Sequence, residues 1–248
     1  NSSYARDVLI AKRAIGTFPS PNIFGGYLIM ILFLSLTLIQ RRREQACLFP
    51  TQTIYTIIIA IALIFTKSLG AWLSLIICLI ILFFISYNNL HNKKIILIAS
   101  GLCIAFVLLF IILNRWERLM NLENPQNSIT QRINYWRTAT AVIKDRPFLG
   151  VGPGNFQEVF LKYKVGLSTN TRYAHNIFLH MWAETGVLGF LGIFYLIFNL
   201  FGKIPSETQK RFLYLGLLAF IFHNLIDNTY FIPEAGLLWW VLIACKSD

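Results

Sequence analysis

Seven apolar runs punctuate this sequence, several of them long enough to cross a bilayer, and a fold that leaves them in water is closed to it. They are Ile23–Ile39, Ile54–Phe65, Ala71–Tyr87, Ile95–Leu113, His175–Phe201, Phe212–Ile226 and Gly236–Ala244. A helix needs about 20 mostly apolar residues to cross the hydrocarbon core. The expected fold is therefore an all-α, polytopic transmembrane helical bundle of about seven spans, read as a single membrane domain over residues 1–248. Ile54–Phe65 and Gly236–Ala244 are short, so they must borrow flanking residues or belong to interrupted helices. Composition agrees: 56% of the residues are hydrophobic and 13% charged, against about 45–50% and 25% in an ordinary globular chain. Disorder is excluded, and a soluble globular class is strongly disfavoured. The chain starts on Asn1, and its polar opening through Asn22 lacks the order of a signal peptide. It is expected to be a loop preceded by further spans of a longer protein.

Basic residues assign the sides. Arg41, Arg42 and Arg43 follow the first run, Lys93 and Lys94 the third, Lys203, Lys210 and Arg211 the fifth, and Lys246 the last. These fall on alternate connections, hence on one face, which the positive-inside rule makes cytoplasmic. The net charge of +11 is spread between apolar runs, so topology and anionic partners explain it better than nucleic acid does. Cys78 and Cys103 lie inside runs, and Cys47 and Cys245 lie at run ends, without a metal-ligand or disulfide spacing.

The same topology puts the 61 residues from Asn114 to Ala174 outside. This long loop is expected to be partly helical. Asn127 or Ser128 could cap a helix, and Ser128-Ile129-Thr130-Gln131 has the form of a capping box. Ile129, Ile133, Trp136, Thr140 and Ile143 then recur at helical spacing until Pro147. A second short helix is expected from Asn155, with Phe156, Val159, Phe160 and Tyr163 on one side. Between the two, Gly150-Val151-Gly152-Pro153-Gly154 reads as a tight turn, because a nucleotide-gripping loop would follow a strand. Nine basic residues against four acidic ones give the loop +5. Two readings stand: a solvated face with lipid-headgroup contacts, or a surface for a phosphate-bearing lipid, which the planar fork of arginine suits.

Ionisable groups at membrane depth are costly and mark function. His180/Glu184 and His223/Asp227 are spaced i,i+4, so each pair can meet on its own helix and pin packing. His175 has no acid at helical spacing. It stands where the basic loop re-enters the membrane, and histidine can take a proton from a hydroxyl near neutral pH.

At these residues the sequence resembles the O-antigen ligase and polymerase superfamily of bacterial inner-membrane proteins. Gly16-Thr17-Phe18-Pro19-Ser20-Pro21-Asn22 resembles its entry to a span. Arg132-Ile133-Asn134-Tyr135-Trp136-Arg137, with Pro147-Phe148-Leu149-Gly150-Val151-Gly152-Pro153-Gly154-Asn155-Phe156, resembles its outer loop. His175-Asn176-Ile177-Phe178-Leu179 with Glu184-Thr185-Gly186 resembles its following helix. The resemblance implies glycan transfer from a polyprenyl-diphosphate carrier to an acceptor hydroxyl at the outer face, with no metal and no other cofactor. It matches His175 to the base and Arg132 to the arginine that engages the diphosphate. Where the family often has T-x-S-R-G, this chain reads Thr66-Lys67-Ser68-Leu69-Gly70, so Leu69 stands for the arginine and Lys67 offers a point charge nearby.

The expected protein is an inverting glycosyltransferase of the inner membrane with a periplasmic active face. Its partners are a lipid-linked glycan donor, a glycan, lipid or protein acceptor, and membrane lipids. Arg137, Lys67, Arg172, Asn176 and Glu184 are the expected substrate-binding residues beside His175 and Arg132. Two alternatives use the same residues: a transporter of an anion or lipid-linked glycan, and a non-catalytic membrane assembly partner, which Leu69 favours.

Overall fold

The computed structural model describes residues 12–44, 50–87, 120–202 and 204–247, with Gly101, Ala105 and Leu109 singly. Among the described residues all regular structure is helical. The α-helices are α1 (Pro21–Glu44), α2 (Pro50–Thr66), α3 (Leu69–Tyr87), α4 (Ser128–Asp145), α5 (Phe156–Tyr163), α6 (Ile177–Phe201), α7 (Thr208–Asn224) and α8 (Pro233–Ser247), and a 3-10 turn covers Thr229–Phe231. The expected span Ile95–Leu113 lies outside the described residues. Among the described residues two helices, Pro21–Arg41 and Ile177–Phe201, are long and apolar enough to cross a membrane, against the seven crossings expected of the whole chain. Thr51–Thr66, Leu69–Ile85 and Pro233–Cys245 are apolar but shorter. At about 1.5 Å per residue such helices fall short of a hydrocarbon core about 30 Å thick.

The described residues form two compact units. In the first, α1 packs against α2, α3, the 3-10 turn and α8. Ile29, Met30 and Phe33 of α1, Leu63 of α2, Leu215 and Leu217 of α7 and Trp239 of α8 are fully buried there. The α2–α3 joint turns on Lys67, at φ +49°. Arg13 closes it: Nε donates to the Thr66 carbonyl at 2.8 Å and a terminal nitrogen donates to Asn22 Oδ1 at 2.8 Å. A cation on the last carbonyls of α2 meets the negative end of that helix.

The second unit holds α4 to α6 and the segment Asn224–Asn228 that follows α7. Of the two expected caps of α4, the structure uses Asn127 and not the capping box from Ser128. Asn127 is the cap, its side chain accepting the Ile129 N–H at 2.9 Å. Gln131 does not reach back to the helix start; its amide nitrogen donates to the Pro125 and Leu167 carbonyls, and its oxygen accepts the Thr169 N–H. The buried face is also rotated from the expected stripe. Gln131, Asn134, Tyr135, Thr138, Ala139, Val142 and Ile143 are inside, while Ile133 and Thr140 are exposed. The reason is hydrogen bonding: Thr138 accepts the Val165 N–H at 3.1 Å and Tyr135 bonds to Thr169 at 2.6 Å, so polar groups tie the 165–169 segment to α4. The expected α5 face is observed, with Phe156 and Phe160 buried and Val159 and Tyr163 packed beside them.

Helix α6 is broken at Gly186, whose φ of +69° and ψ of −168° are not helical. A side chain there would strike the Phe148 carbonyl, which lies 1.9 Å from the Cβ position. The amide released at Val187 is taken by the Pro147 carbonyl at 3.0 Å. A loop carbonyl thus completes the helix at the point where its own ladder fails.

Candidate active site

The first turn of α6 starts with Asn176, whose Oδ1 accepts the Leu179 N–H at 3.0 Å. His175, just outside this cap, adopts φ +53°. That left-handed conformation is uncommon for a residue with a side chain, although histidine tolerates it better than most. The turn is held from several sides. Trp136 Nε1 of α4 donates to the His175 carbonyl at 3.2 Å, and Asn176 Nδ2 donates to the Leu225 carbonyl at 2.9 Å. Tyr135 stacks on the His175 imidazole, with ring centroids 5.3 Å apart.

The expected pairing of His223 with Asp227 does not form on one helix. Helix α7 ends at Asn224, and Asp227 lies in the turn beyond it. Asp227 joins Arg132 and His175. Its Oδ2 accepts from an Arg132 terminal nitrogen at 2.7 Å, and its Oδ1 lies 3.8 Å from His175 Nδ1. Oδ1 also accepts the Asn228 N–H at 2.9 Å. The carboxyl is 3% exposed, while Arg132 and His175 keep 18% and 22% of their side chains open. A nearly dry carboxylate therefore lies between a guanidinium and an imidazole that both reach solvent. Arg132 Nε and His175 Nδ1 are buried atoms with no hydrogen-bond partner among the described residues. Sequence spacing missed Asp227 because it is distant in the chain from both partners. The usable signal was the run Asn224, Asp227, Asn228 after an apolar helix, which reads as a stop and a turn.

Charge also reaches Tyr135. Burial raises its hydroxyl above the ordinary value, opposed by the hydrogen bond to Thr169 and by the positive charge of Arg132.

The other expected residues divide. Glu184 is turned into the loop: Oε2 accepts the Gly154 N–H at 2.9 Å and Oε1 accepts the Phe156 N–H at 3.1 Å. The glycine segment is thus a turn whose amides enclose a carboxylate of its own chain. His180 and Glu184 do meet, Nε2 to Oε2 being 3.5 Å. Arg137 lines an open groove of about 430 Å³ with Ile133, Trp136, Thr140, Ala141, Lys144 and Val165. The Arg172 guanidinium lies 5.6 Å from the Tyr173 ring centre. Lys67 belongs to the first unit. Among the described residues no three His, Cys, Asp or Glu side chains come together as a metal-ligand set.

Chemically, the cluster sets one guanidinium and one imidazole, both reaching solvent, beside a single buried carboxylate.

Comparison with known proteins adds three findings. An uncharacterised protein of Haemophilus influenzae is 24% identical over 69% of this chain and 50% of its own length. A ComP-specific O-oligosaccharyltransferase of Acinetobacter baylyi is 22% identical over 91% of this chain and 43% of its own length. The chain thus spans about half the length of the curated relatives it matches. No solved structure matches it. The family model described as O-antigen ligase matches residues 54–194, more than half of the chain, which includes Arg132, His175 and the glycine turn. The chain belongs to the O-antigen ligase family of membrane proteins.

Proposed function

We propose that this protein transfers a glycan from a polyprenyl-diphosphate carrier to an acceptor hydroxyl at the periplasmic face of the bacterial inner membrane. The observation that carries the reading is the nearly dry Asp227 carboxylate paired with Arg132 at 2.7 Å and lying 3.8 Å from His175 Nδ1. His175 accepts the acceptor's proton at Nε2, with the Asp227 carboxylate 3.8 Å from its Nδ1. The hydroxyl oxygen forms a bond to the anomeric carbon as the bond from that carbon to the diphosphate oxygen breaks. The electron pair leaves with the diphosphate, and attack from the opposite face inverts the anomeric centre. Arg132, free at Nε and open on one side, stabilises the charge growing on the leaving group. The imidazolium formed at His175 is stabilised by Asp227.

Arg137 and Arg172, both exposed, bind further phosphate or glycan oxygens. Asn176 and Glu184 serve the site through the backbone they hold. The name of the Acinetobacter relative describes oligosaccharide transfer to oxygen, the same class of reaction. Diphosphate is already a good leaving group, so placement of a base and a cation supplies what the step needs.

The test is transfer by the purified full-length protein from a polyprenyl-diphosphate oligosaccharide. His175→Ala and Arg132→Ala are expected to stay membrane-inserted and lose transfer by about 100-fold or more. Wild-type turnover in His175→Ala would remove its role as the base.

A further inference from the structure

We propose that His180 and Glu184 are positioning residues that hold His175 by its backbone, through a relay running from the glycine turn to the Ala174 amide. The proposal rests on the reading of His175 as the base. His180 is 2% exposed and Glu184 9%, so neither is offered to a substrate. The relay is a continuous set of contacts. The Gly154 and Phe156 amides fix both carboxylate oxygens of Glu184. Glu184 Oε2 faces His180 Nε2 at 3.5 Å. The other nitrogen of the same ring, Nδ1, accepts the Ala174 N–H at 3.4 Å. Ala174 is wholly buried and directly precedes the left-handed His175.

One tautomer of His180 suits both ends, with the proton on Nε2 toward the carboxylate and the lone pair on Nδ1 toward the amide. A flipped or doubly protonated ring would set one N–H against another at Ala174. Phe156 and Tyr173 grip the ring edge-on, both with centroids 5.4 Å away, so it cannot swing. Tyr173 and Phe156 come from the two segments the relay joins, the approach to His175 and the start of α5. Asn176 and Trp136 fix the far side of the same turn. His175 therefore keeps a costly backbone conformation because its neighbours hold it there. A reacting group displaced by about 1 Å loses about 100-fold in rate, and His180 guards against that displacement.

The test compares His180→Leu with His180→Asn in the full-length protein in nanodiscs, using a polyprenyl-diphosphate oligosaccharide as donor. Asparagine carries an oxygen where Nδ1 stands and can accept the Ala174 N–H. Leucine keeps apolar volume and accepts nothing. The relay predicts a kcat about 100-fold lower in His180→Leu with donor KM within about 2-fold, and recovery to within about 10-fold of wild type in His180→Asn. A packing role predicts the reverse order. That reverse order, equal activity of the two variants, or a loss confined to KM overturns the proposal. Histidine-labelled NMR supplies an arm that needs no turnover: the His175 ring signal stays single in wild type and His180→Asn and becomes heterogeneous in His180→Leu. An unchanged His175 signal in His180→Leu overturns the relay whether or not the transfer reading holds. Should His180→Leu fail to insert, Glu184→Gln replaces it, because one amide oxygen cannot accept both loop N–H groups; an unchanged His175 signal there has the same force.

Discussion

Two pairs in this chain have the same i,i+4 spacing of histidine and acid and meet opposite fates. His180 and Glu184 stay on one helix and face each other at 3.5 Å. The end of α7 at Asn224 falls between His223 and Asp227 in the chain. His223 remains fully buried, close enough to Gly26 that a side chain there would meet its ring at 2.3 Å. Asp227 is released into a turn and becomes the shared partner of Arg132 and His175. Spacing confers contact only while the helix lasts. Where the helix stops, the same spacing can deliver an acid to a quite different site.

The largest effect is expected at the released acid. Asp227→Ala should abolish transfer and destabilise the loop unit by about 3 kcal/mol or more, since it strands Arg132 in a mostly buried place. Normal transfer by that variant would break the contrast between the two pairs. Next comes the kink beside the retained pair. Gly186→Ala must carry a side chain at φ +69° and displace the Phe148 carbonyl, at a cost on the order of 3 kcal/mol. A melting temperature equal to wild type would show that the loop yields freely. Glu184→Gln leaves a loop amide without its carboxylate oxygen, and about 1–3 kcal/mol is expected. Hydrogen exchange at Gly154 and Phe156 should quicken, whereas Asp227→Asn should leave those two amides protected. The smallest effect tests how helix ends are set. Asn127→Ala should cost about 1 kcal/mol and fray the start of α4. Retained protection at Ile129 would place the cap elsewhere.

Much of the helical content was legible, because long apolar runs and the Phe156–Phe160 spacing leave few other solutions. The turn at Gly150–Gly154 was also legible as a turn, though its partner, Glu184, was assigned to substrate. The register of α4 was not. Of its expected stripe at Ile129, Ile133, Trp136, Thr140 and Ile143 only Ile143 is buried, and Gln131, Asn134 and Thr138 go inside with Tyr135, Ala139 and Val142. Hydrophobic periodicity weighs transfer energy and is blind to hydrogen-bond demand. In this loop the 165–169 strip needs donors and acceptors, and the polar side of α4 supplies them. The Arg132–Asp227–His175 cluster was half legible. Two members stood out by residue type and position, and the third required knowing where α7 ends.

The splice between Pro147 and Val187 binds chain segments forty residues apart. Val151 and Gly152 add amides to the Ala183 and Glu184 carbonyls just before the break. Opening the middle of α6 and peeling off the turn are consequently one event rather than two. Val151, Gly152 and Val187 should exchange their amide hydrogens at a common rate, as members of a single cooperative unit.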